Sequence, residues 1–289
     1  MIWDDGSTIS YAPIRLAGLC RILLRGVPMA ALVFGGLIVL LLVRLAERPL
    51  FGLHRPVTPF ITVFVCRGAL WLLGLRLQVH GAPMMQRGAV VANHSSWLDV
   101  FVLNAVKRIY FVSKSEVEAW PGIGWLARAT GTVFIERNPK KARVQTALFR
   151  DRLLAGHKLL FFPEGTSTDG QRVLPFKTTL FASFFAPELK HAIWVQPVSV
   201  VYCPPPGAEP RLYGWWGDMS FGAHLVAMLA LPRHGAVRLR YHPPIAVSGV
   251  PGRKVLAKMA EDAVRGGFAL DQPHAPSPPP IAPPPRPAP

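Results

Sequence analysis

The sequence contains little cysteine and lacks the spaced motifs of several enzyme classes. Its three cysteines, Cys20, Cys66 and Cys203, lie far apart, and no pair has the C-x-x-C spacing of a redox or metal site. This distribution predicts reduced thiols, and it excludes a disulfide framework or a cysteine-bound metal cluster. A G-x-S-x-G motif, which marks the nucleophilic serine of many hydrolases, is also absent.

Acidic residues are scarce. The 289 residues include 16 Asp and Glu against 32 Lys and Arg, which gives a net charge of +16. Such a balance favours anionic partners, but zinc-finger spacing and RNA-binding sheet motifs are missing. Hydrophobic residues make up 51% of the chain and are concentrated in residues 26–43 and 57–75. The composition therefore predicts an anionic membrane surface as partner, and no nucleic acid.

Residues 26–43 are eighteen consecutive residues without a charge. A membrane-spanning helix needs about 17–25 residues, and no small-residue cleavage site follows the stretch, so it predicts an uncleaved anchor. Arginines flank it on both sides and give no orientation. The alternatives are an interfacial or a re-entrant helix. The second stretch has Arg67 at its centre, which favours an amphipathic surface helix with Phe64 and Trp71 toward lipid, or an ordinary core helix.

From Leu75 onward, short β-rich runs alternate with helical runs. The pattern predicts an α/β fold with a mixed, largely parallel sheet flanked by helices, preceded by an N-terminal membrane helix. Strands are predicted at 75–81, 89–94, 109–114, 132–137, 158–165, 193–202 and 236–245. Helices are predicted at 96–107, 118–129, 138–155 and 177–189, the third capped by Asn138 with Pro139 at its first position.

Four segments follow from these changes in composition. They are an N-terminal segment (1–25), a membrane anchor with its interfacial helix (26–74), a catalytic domain (75–271) and a tail (272–289). The tail has ten prolines in eighteen residues, which predicts an extended, disordered segment.

His94 and Asp99 are five residues apart in "VVANHSSWLDV". On one helix they would point about 140° away from each other, so they can pair only if His94 ends a strand and Asp99 lies in the first turn of the next helix. There the carboxylate would orient the imidazole, leaving its other nitrogen to remove a proton from a hydroxyl. The alternative is a structural pair at a strand–helix junction.

Other polar residues also follow predicted strands. Lys114 and Arg137 end two of them, and each is a candidate anion ligand or a partner in a surface ion pair. Gly131 would allow close approach of the backbone. The stretch "FFPEGTS" places Glu164, Gly165 and Thr166 in a loop that either faces a ligand or is a plain turn. In open α/β sheets, ligands bind at the carboxyl ends of strands, which predicts one shared cleft.

Four blocks occur in this order along the chain: "NHSSWLD", "GTVFIER", "FPEGTS" and "VQPVSV". In sequence and order they resemble those of the glycerolipid acyltransferases, in particular the bacterial 1-acyl-glycerol-3-phosphate acyltransferases. The resemblance runs from about Leu75 to about Pro244. The resemblance implies His94 as general base and Asp99 as its orienting partner. It implies that Lys114 and Arg137 hold the anionic headgroup, and that Glu164 and Gly165 position the acceptor. It also implies no metal and no covalent acyl-enzyme.

The function implied is transfer of a fatty acyl chain to 1-acyl-glycerol-3-phosphate, which makes phosphatidic acid. Acyl carrier protein or coenzyme A would deliver the chain as co-substrate, with no further cofactor. The expected location is a bacterial inner membrane, with the catalytic domain facing the cytoplasm. Rival functions are a non-enzymatic lipid-binding scaffold and a hydrolase that uses water as acceptor.

The sequence departs from the family pattern at two positions. Glu136 stands where aspartate is commoner, and Ser167 stands where many members have arginine. The second change removes a cation for the acceptor phosphate. The alternative acceptor is therefore a lysolipid without that phosphate, such as lyso-ornithine lipid. Residues 213–225, "YGWWGDMSFGAHL", also resemble acyltransferases from bacteria that make ornithine lipids.

Overall fold

The computed structural model describes residues 3–136 and 142–273. In chain order the helices and strands are α1 (Leu16–Phe51), α2 (Thr58–Leu73), β1 (Arg76–His80), β2 (Gly88–Ala92), α3 (Asp99–Val106), β3 (Tyr110–Lys114), α4 (Ile123–Thr130), β4 (Val133–Ile135), α5 (Ala142–Leu154), β5 (Leu159–Phe161), α6 (Pro187–Lys190), β6 (Trp194–Cys203), α7 (Phe221–Ala230), β7 (Ala236–Tyr241), β8 (Ile245–Ala246) and α8 (Arg253–Asp271). Short 3-10 helices cover Ser115–Ala119, Thr178–Phe185 and Val247–Gly249.

The eight described strands form one sheet. Its order is β1-β7-β6-β2-β5-β3-β4, with β8 paired to β6. Strands β6, β2, β5, β3 and β4 run parallel, whereas β7 and β8 run antiparallel to β6. The predicted mixed, largely parallel sheet is thus confirmed. The seven predicted strands are all present, and β8 was not predicted from the sequence.

Helices cover both faces of the sheet. One core cluster packs α2, α3 and α7 against β2, β6 and β7, with Leu103, Met228 and Leu239 fully buried. The second packs α5, α8 and the segment Thr178–Phe185 against the other face, with Leu153 and Phe181 fully buried. Because both faces are covered, the central strands are apolar along their whole length: every residue of β2 is buried.

Helix α1 is 36 residues long and is the one helix in the described ranges that is long and apolar enough to cross a membrane. It is longer at both ends than the uncharged stretch 26–43 that was predicted as the anchor. Helix α2 packs against it and against α3. One face of α2 is buried through Cys66 and Leu70, while Trp71 on the other face is 80% exposed. Arg67 is exposed and has a partner in the neighbouring helix, because its Nε donates to the carbonyl of Ala105 in α3 at 2.7 Å.

The segment that precedes α1 lies extended across the catalytic domain. The amide of Trp3 donates to Oγ1 of Thr166 at 3.2 Å, and its indole stacks obliquely on Trp216 with ring centroids 6.3 Å apart. Further along, the hydroxyl of Ser7 accepts from Arg211 at 2.7 Å. These contacts join the first described residues to loops at the carboxyl edge of the sheet.

Candidate active site

His94 and Asp99 meet at the carboxyl end of β2. The strand ends at Ala92, and Asp99 is the first residue of α3. Nδ1 of His94 lies 2.7 Å from Oδ2 of Asp99. The carboxylate at the start of a helix is stabilised by the helix dipole. The structure therefore has the strand–turn–helix geometry that the five-residue spacing predicts.

Asp99 is completely buried, and both of its carboxylate oxygens accept hydrogen bonds. Besides His94, the amides of Ser95 and Ser96 donate to Oδ2 at 2.9 and 3.1 Å. The hydroxyl of Tyr202, on β6, donates to Oδ1 at 2.7 Å. Burial raises the pKa of Tyr202, so its phenol stays protonated and remains a donor. These bonds fix the carboxylate, and through it the imidazole.

The imidazole of His94 is held so that one edge stays accessible. Its ring stacks on Phe162, with centroids 3.9 Å apart and planes at 10°. The side chain is 19% exposed. Because Nδ1–H donates to Asp99, Nε2 carries the lone pair, and no residue in 3–136 or 142–273 hydrogen bonds to it. This nitrogen is placed to accept a proton from a bound hydroxyl.

Glu164 fixes the backbone on both sides of the site. Its side chain is 1% exposed, Oε1 accepts from the amide of His94 at 2.8 Å, and Oε2 accepts from the amide of Leu174 at 2.9 Å. Burial raises the pKa of Glu164 to about 8. Both oxygens of Glu164 are thus used within the protein, which gives this residue a positioning role. It would affect a bound substrate through the two loops that it joins, and not through the direct contact that the sequence predicts.

Gly165 and Thr166 follow Glu164 at the same edge. Gly165 has φ +73°, a left-handed conformation that favours glycine, and an added Cβ would lie 2.6 Å from Nζ of Lys177. Lys177 is exposed, and its amide donates to the carbonyl of Pro163 at 2.9 Å. The loop thus has a neighbouring cation that sequence reasoning missed. Thr166 is engaged by the amide of Trp3.

The remaining predicted residues divide between the two edges of the sheet. Lys114 is the last residue of β3 and pairs in register with Ile135 of β4, so it lies at the same edge as His94. Arg137, together with the cap predicted at Asn138 and Pro139, lies outside the described residues. Gly131 is not brought to the site. It ends α4 with φ +87° before β4 begins, at the opposite edge, where its carbonyl accepts from Arg152 at 2.8 Å.

Three further contacts support the catalytic loop. The carbonyl of His94 accepts from the amide of Thr168 at 3.0 Å, and that of Ser95 accepts from the amide of Trp215 at 2.9 Å. The indole of Trp97 donates to Nδ1 of His224 at 2.8 Å. Their partners lie 74 to 127 residues away in the chain. The sequence had indicated Trp215 and His224 only through the resemblance of residues 213–225. That resemblance did not show that either residue contacts the loop of His94.

Tyr202→Phe tests whether the hydrogen bond to Asp99 matters for turnover. A hydrogen bond to a charged group contributes about 1.5–3 kcal/mol, and part of this is lost from the orientation of the dyad, so we expect kcat to fall about three- to tenfold with KM unchanged. Steady-state kinetics of the purified variant measure this. Tyr241→Phe is the matched control, because Tyr241 is a buried tyrosine of the neighbouring strand β7 and makes no hydrogen bond to Asp99. Equal effects of both substitutions would contradict the assignment.

Comparison with known proteins agrees with this geometry. A family model described as "Acyltransferase" matches residues 76–201. The lyso-ornithine lipid O-acyltransferase of Rhodobacter capsulatus is 56% identical over 267 residues, which cover 92% of this chain and 97% of that protein. The chain belongs to the glycerolipid acyltransferase family. It is accordingly an acyltransferase, as the four sequence blocks predict.

Two other members of the glycerolipid acyltransferases show how far the similarity extends. The 1-acyl-sn-glycerol-3-phosphate acyltransferase of Neisseria gonorrhoeae is 40% identical over 121 residues, which are 40% of this chain and 47% of that one. The crystal structure of the 1-acyl-sn-glycerophosphate acyltransferase PlsC from Thermotoga maritima superimposes with a TM-score of 0.60 at 20% identity, covering 87% of this chain and 95% of that one. This second likeness confirms the fold. Together with the apolar α1, membership of a lipid-acylating family supports association with a membrane.

Proposed function

We propose that this protein transfers a fatty acyl chain from a thioester donor to the free hydroxyl of lyso-ornithine lipid. The observation that carries the proposal is full-length similarity to a protein with that name, at 56% identity, in a chain that has the His94–Asp99 dyad. Ser167 is consistent with it, because an ornithine headgroup carries an ammonium and a carboxylate and needs no arginine for a phosphate.

The first candidate from the sequence, transfer to 1-acyl-glycerol-3-phosphate, has weaker support. The similarity to the Neisseria enzyme covers 47% of that protein, whereas the similarity to the Rhodobacter protein covers 97%. The similarity to the Rhodobacter protein therefore extends over 267 residues, against 121 residues for the Neisseria enzyme.

The proposed mechanism uses the accessible nitrogen of His94. Nε2 accepts the proton of the lysolipid hydroxyl as its oxygen attacks the thioester carbonyl. The C–S bond breaks, the new ester forms, and the leaving thiolate takes the proton from the imidazolium. Asp99, held by four hydrogen bonds, stabilises the imidazolium while it exists. A thioester is already activated, so orientation of the two substrates contributes most of the remaining acceleration.

The donor and the location are part of the same proposal. We take acyl carrier protein or coenzyme A as the carrier, since either presents an acyl thioester. The catalytic domain would lie on the cytoplasmic face of a bacterial inner membrane, with the basic surface against anionic lipid. By the family resemblance, Lys114 and Arg137 would bind the acceptor's carboxylate rather than a phosphate.

The test is a transfer assay on membranes that contain the full chain. Labelled acyl donor is offered with lyso-ornithine lipid and lysophosphatidic acid side by side, and the labelled products are separated. We expect most of the product from lyso-ornithine lipid. Product only from lysophosphatidic acid would overturn the acceptor and keep the chemistry. Loss of the thioester without either acceptor would identify a hydrolase.

Ser167→Arg should shift acceptor preference toward a phosphate. One charge-assisted contact stabilises bound phosphate by about 1.5–3 kcal/mol, so we expect kcat/KM for lysophosphatidic acid, relative to lyso-ornithine lipid, to rise about tenfold. The neutral variant Ser167→Gln has a long side chain without the charge and should leave the ratio near that of the wild type. An equal shift in both variants would show that side-chain size, not charge, sets the preference.

A further inference from the structure

A cavity of about 520 Å³ lies at the C-terminal half of α1, away from the candidate active site. Its wall includes Arg55, whose guanidinium donates to the carbonyl of Ala129 at 2.8 Å near the end of α4, so the cavity lies at the sheet edge opposite to His94. Four arginines line it together with apolar residues of α1 and α4; the arginines are Arg44, Arg48, Arg55 and Arg128. The mechanism uses none of them.

Carboxylates do not balance these four charges. Arg44 pairs with Glu47 at 3.2 Å, but the same carboxylate also accepts from the amide and hydroxyl of Thr58, where it caps α2. Arg128 lies 3.8 Å from Glu118, and both side chains are nearly half exposed, so solvent weakens that pair. Within the described residues, the side chain of Arg48 has neither a hydrogen bond nor an ion pair, whereas its backbone carbonyl accepts from the amide of Gly52. The cavity is left with an excess of positive charge.

Further positive charge lies directly behind the cavity. Arg152 is buried, with Nε donating to Nδ1 of His157 at 2.6 Å and its guanidinium over the ring of Tyr110. Burial, and then the charge of Arg55, lower the pKa of Arg152 to about 10. Burial and the charge of Arg44 likewise lower the pKa of Arg55. Mutual repulsion of this kind is relieved when an anion enters the cavity.

The rest of the lining is apolar and continuous with the proposed membrane helix. Leu37 and Leu41 belong to the uncharged stretch 26–43 of α1. Trp125 of α4, which is 59% exposed, forms the rim on the other side. Tryptophan beside arginine at the end of an apolar helix is typical of the headgroup level of a bilayer. A free phosphate ion would use the arginines and leave this apolar wall exposed to water.

We propose that this cavity binds one anionic phospholipid, with its phosphate among Arg44, Arg48, Arg55 and Arg128 and its chains along Leu37 and Leu41. The lipid would neutralise the arginines and hold α1 against α4. This site is independent of the acceptor and of the reaction, so it stands whichever lysolipid is acylated.

The experiment is native mass spectrometry of the full chain released from detergent micelles that contain equal amounts of phosphatidylglycerol and phosphatidylcholine. We expect phosphatidylglycerol adducts to exceed phosphatidylcholine adducts about tenfold, since each nearby arginine favours an anionic lipid. Arg48→Gln/Arg128→Gln should remove most of this preference. Both side chains are exposed, so the fold should tolerate the change. Arg253→Gln, an exposed arginine at the start of α8, is the matched control.

Each other outcome overturns the proposal. Equal adducts of both lipids in the wild type would show that the cavity does not select an anion. An unchanged preference in the double variant, or an equal loss in Arg253→Gln, would place the lipid elsewhere. Loss of the phosphatidylglycerol adduct on adding inorganic phosphate at the same concentration would identify the ligand as a free phosphate group.

Discussion

Replacing His94 with alanine is expected to lower kcat by about 10²- to 10⁴-fold, because a positioned general base contributes that much. The loss should appear in kcat more than in KM, since Nε2 of His94 accepts the proton only as the hydroxyl attacks. Asp99→Asn should have a comparable effect, because an amide oxygen cannot stabilise the imidazolium as a carboxylate does. The double variant His94→Ala/Asp99→Asn should lose little more than His94→Ala alone, as expected for residues that act as one unit.

The measurement is acyl transfer by purified variants, with circular dichroism to show that each is folded. His191→Ala is the matched control, because His191 is an exposed histidine in the turn after α6. It should retain wild-type activity. Turnover of His94→Ala within twofold of the wild type would refute the assignment of His94 as the general base.

Glu164→Gln is expected to have the second largest effect, on both stability and activity. The glutamine can present one acceptor, so either the amide of His94 or that of Leu174 would face an NH₂ group instead of an oxygen. Leaving a buried donor without a partner costs about 1–3 kcal/mol of the free energy of unfolding. Because the amide of His94 is one of the two, kcat should fall as well. Chemical denaturation and the transfer assay measure the two effects.

The stability difference between wild type and Glu164→Gln should depend on pH in a stated direction. The pKa of Glu164 is raised to about 8 in the folded protein from an ordinary value near 4.5. The unfolded chain therefore loses its proton first, and the contribution of this group to stability is fully present below pH 4.5 and declines as the pH rises toward 8. The wild type should lose its advantage over the variant across that window. Glu188→Gln, an exposed glutamate in α6, is the control, and an advantage that grows with pH would contradict the buried, protonated carboxyl.

The sequence correctly predicted those features of the fold and the site that depend on local residue patterns and on the parallel pairing of strands. Alternation of strands and helices predicted the mixed sheet, and parallel strands bring their carboxyl ends to one edge, so His94, Lys114 and Glu164 were correctly expected to lie at that edge. The five-residue spacing of His94 and Asp99 restricted the pair to a strand–helix junction. Each of these inferences needs only residues that are close in the sequence, together with the period of a helix or the common direction of parallel strands.

What the sequence did not reveal depends on contacts between distant parts of the chain. Tyr202 donates to Asp99 across 103 residues, and nothing in its own strand distinguishes it from an ordinary core tyrosine. Gly131 was expected near the ligand because glycine allows close approach of the backbone, yet a three-residue strand separates it from that edge. Glu164 resembles a ligand contact in sequence, and only burial and its two amide donors show that it joins loops.

The contacts of the first described residues set an order of events during synthesis. Trp3 reaches Thr166, Arg211 reaches Ser7, and Arg21 of α1 reaches the carbonyl of Ala230, at separations of 163, 204 and 209 residues. A ribosome makes α1 long before it makes these partners, so the apolar helix is ready to enter a bilayer while the catalytic loop is still incomplete. These contacts can form only after Thr166, Arg211 and Ala230 have been synthesised. The site around Thr166 is therefore completed only when the first and the later parts of the chain meet, which is after α1 has left the ribosome.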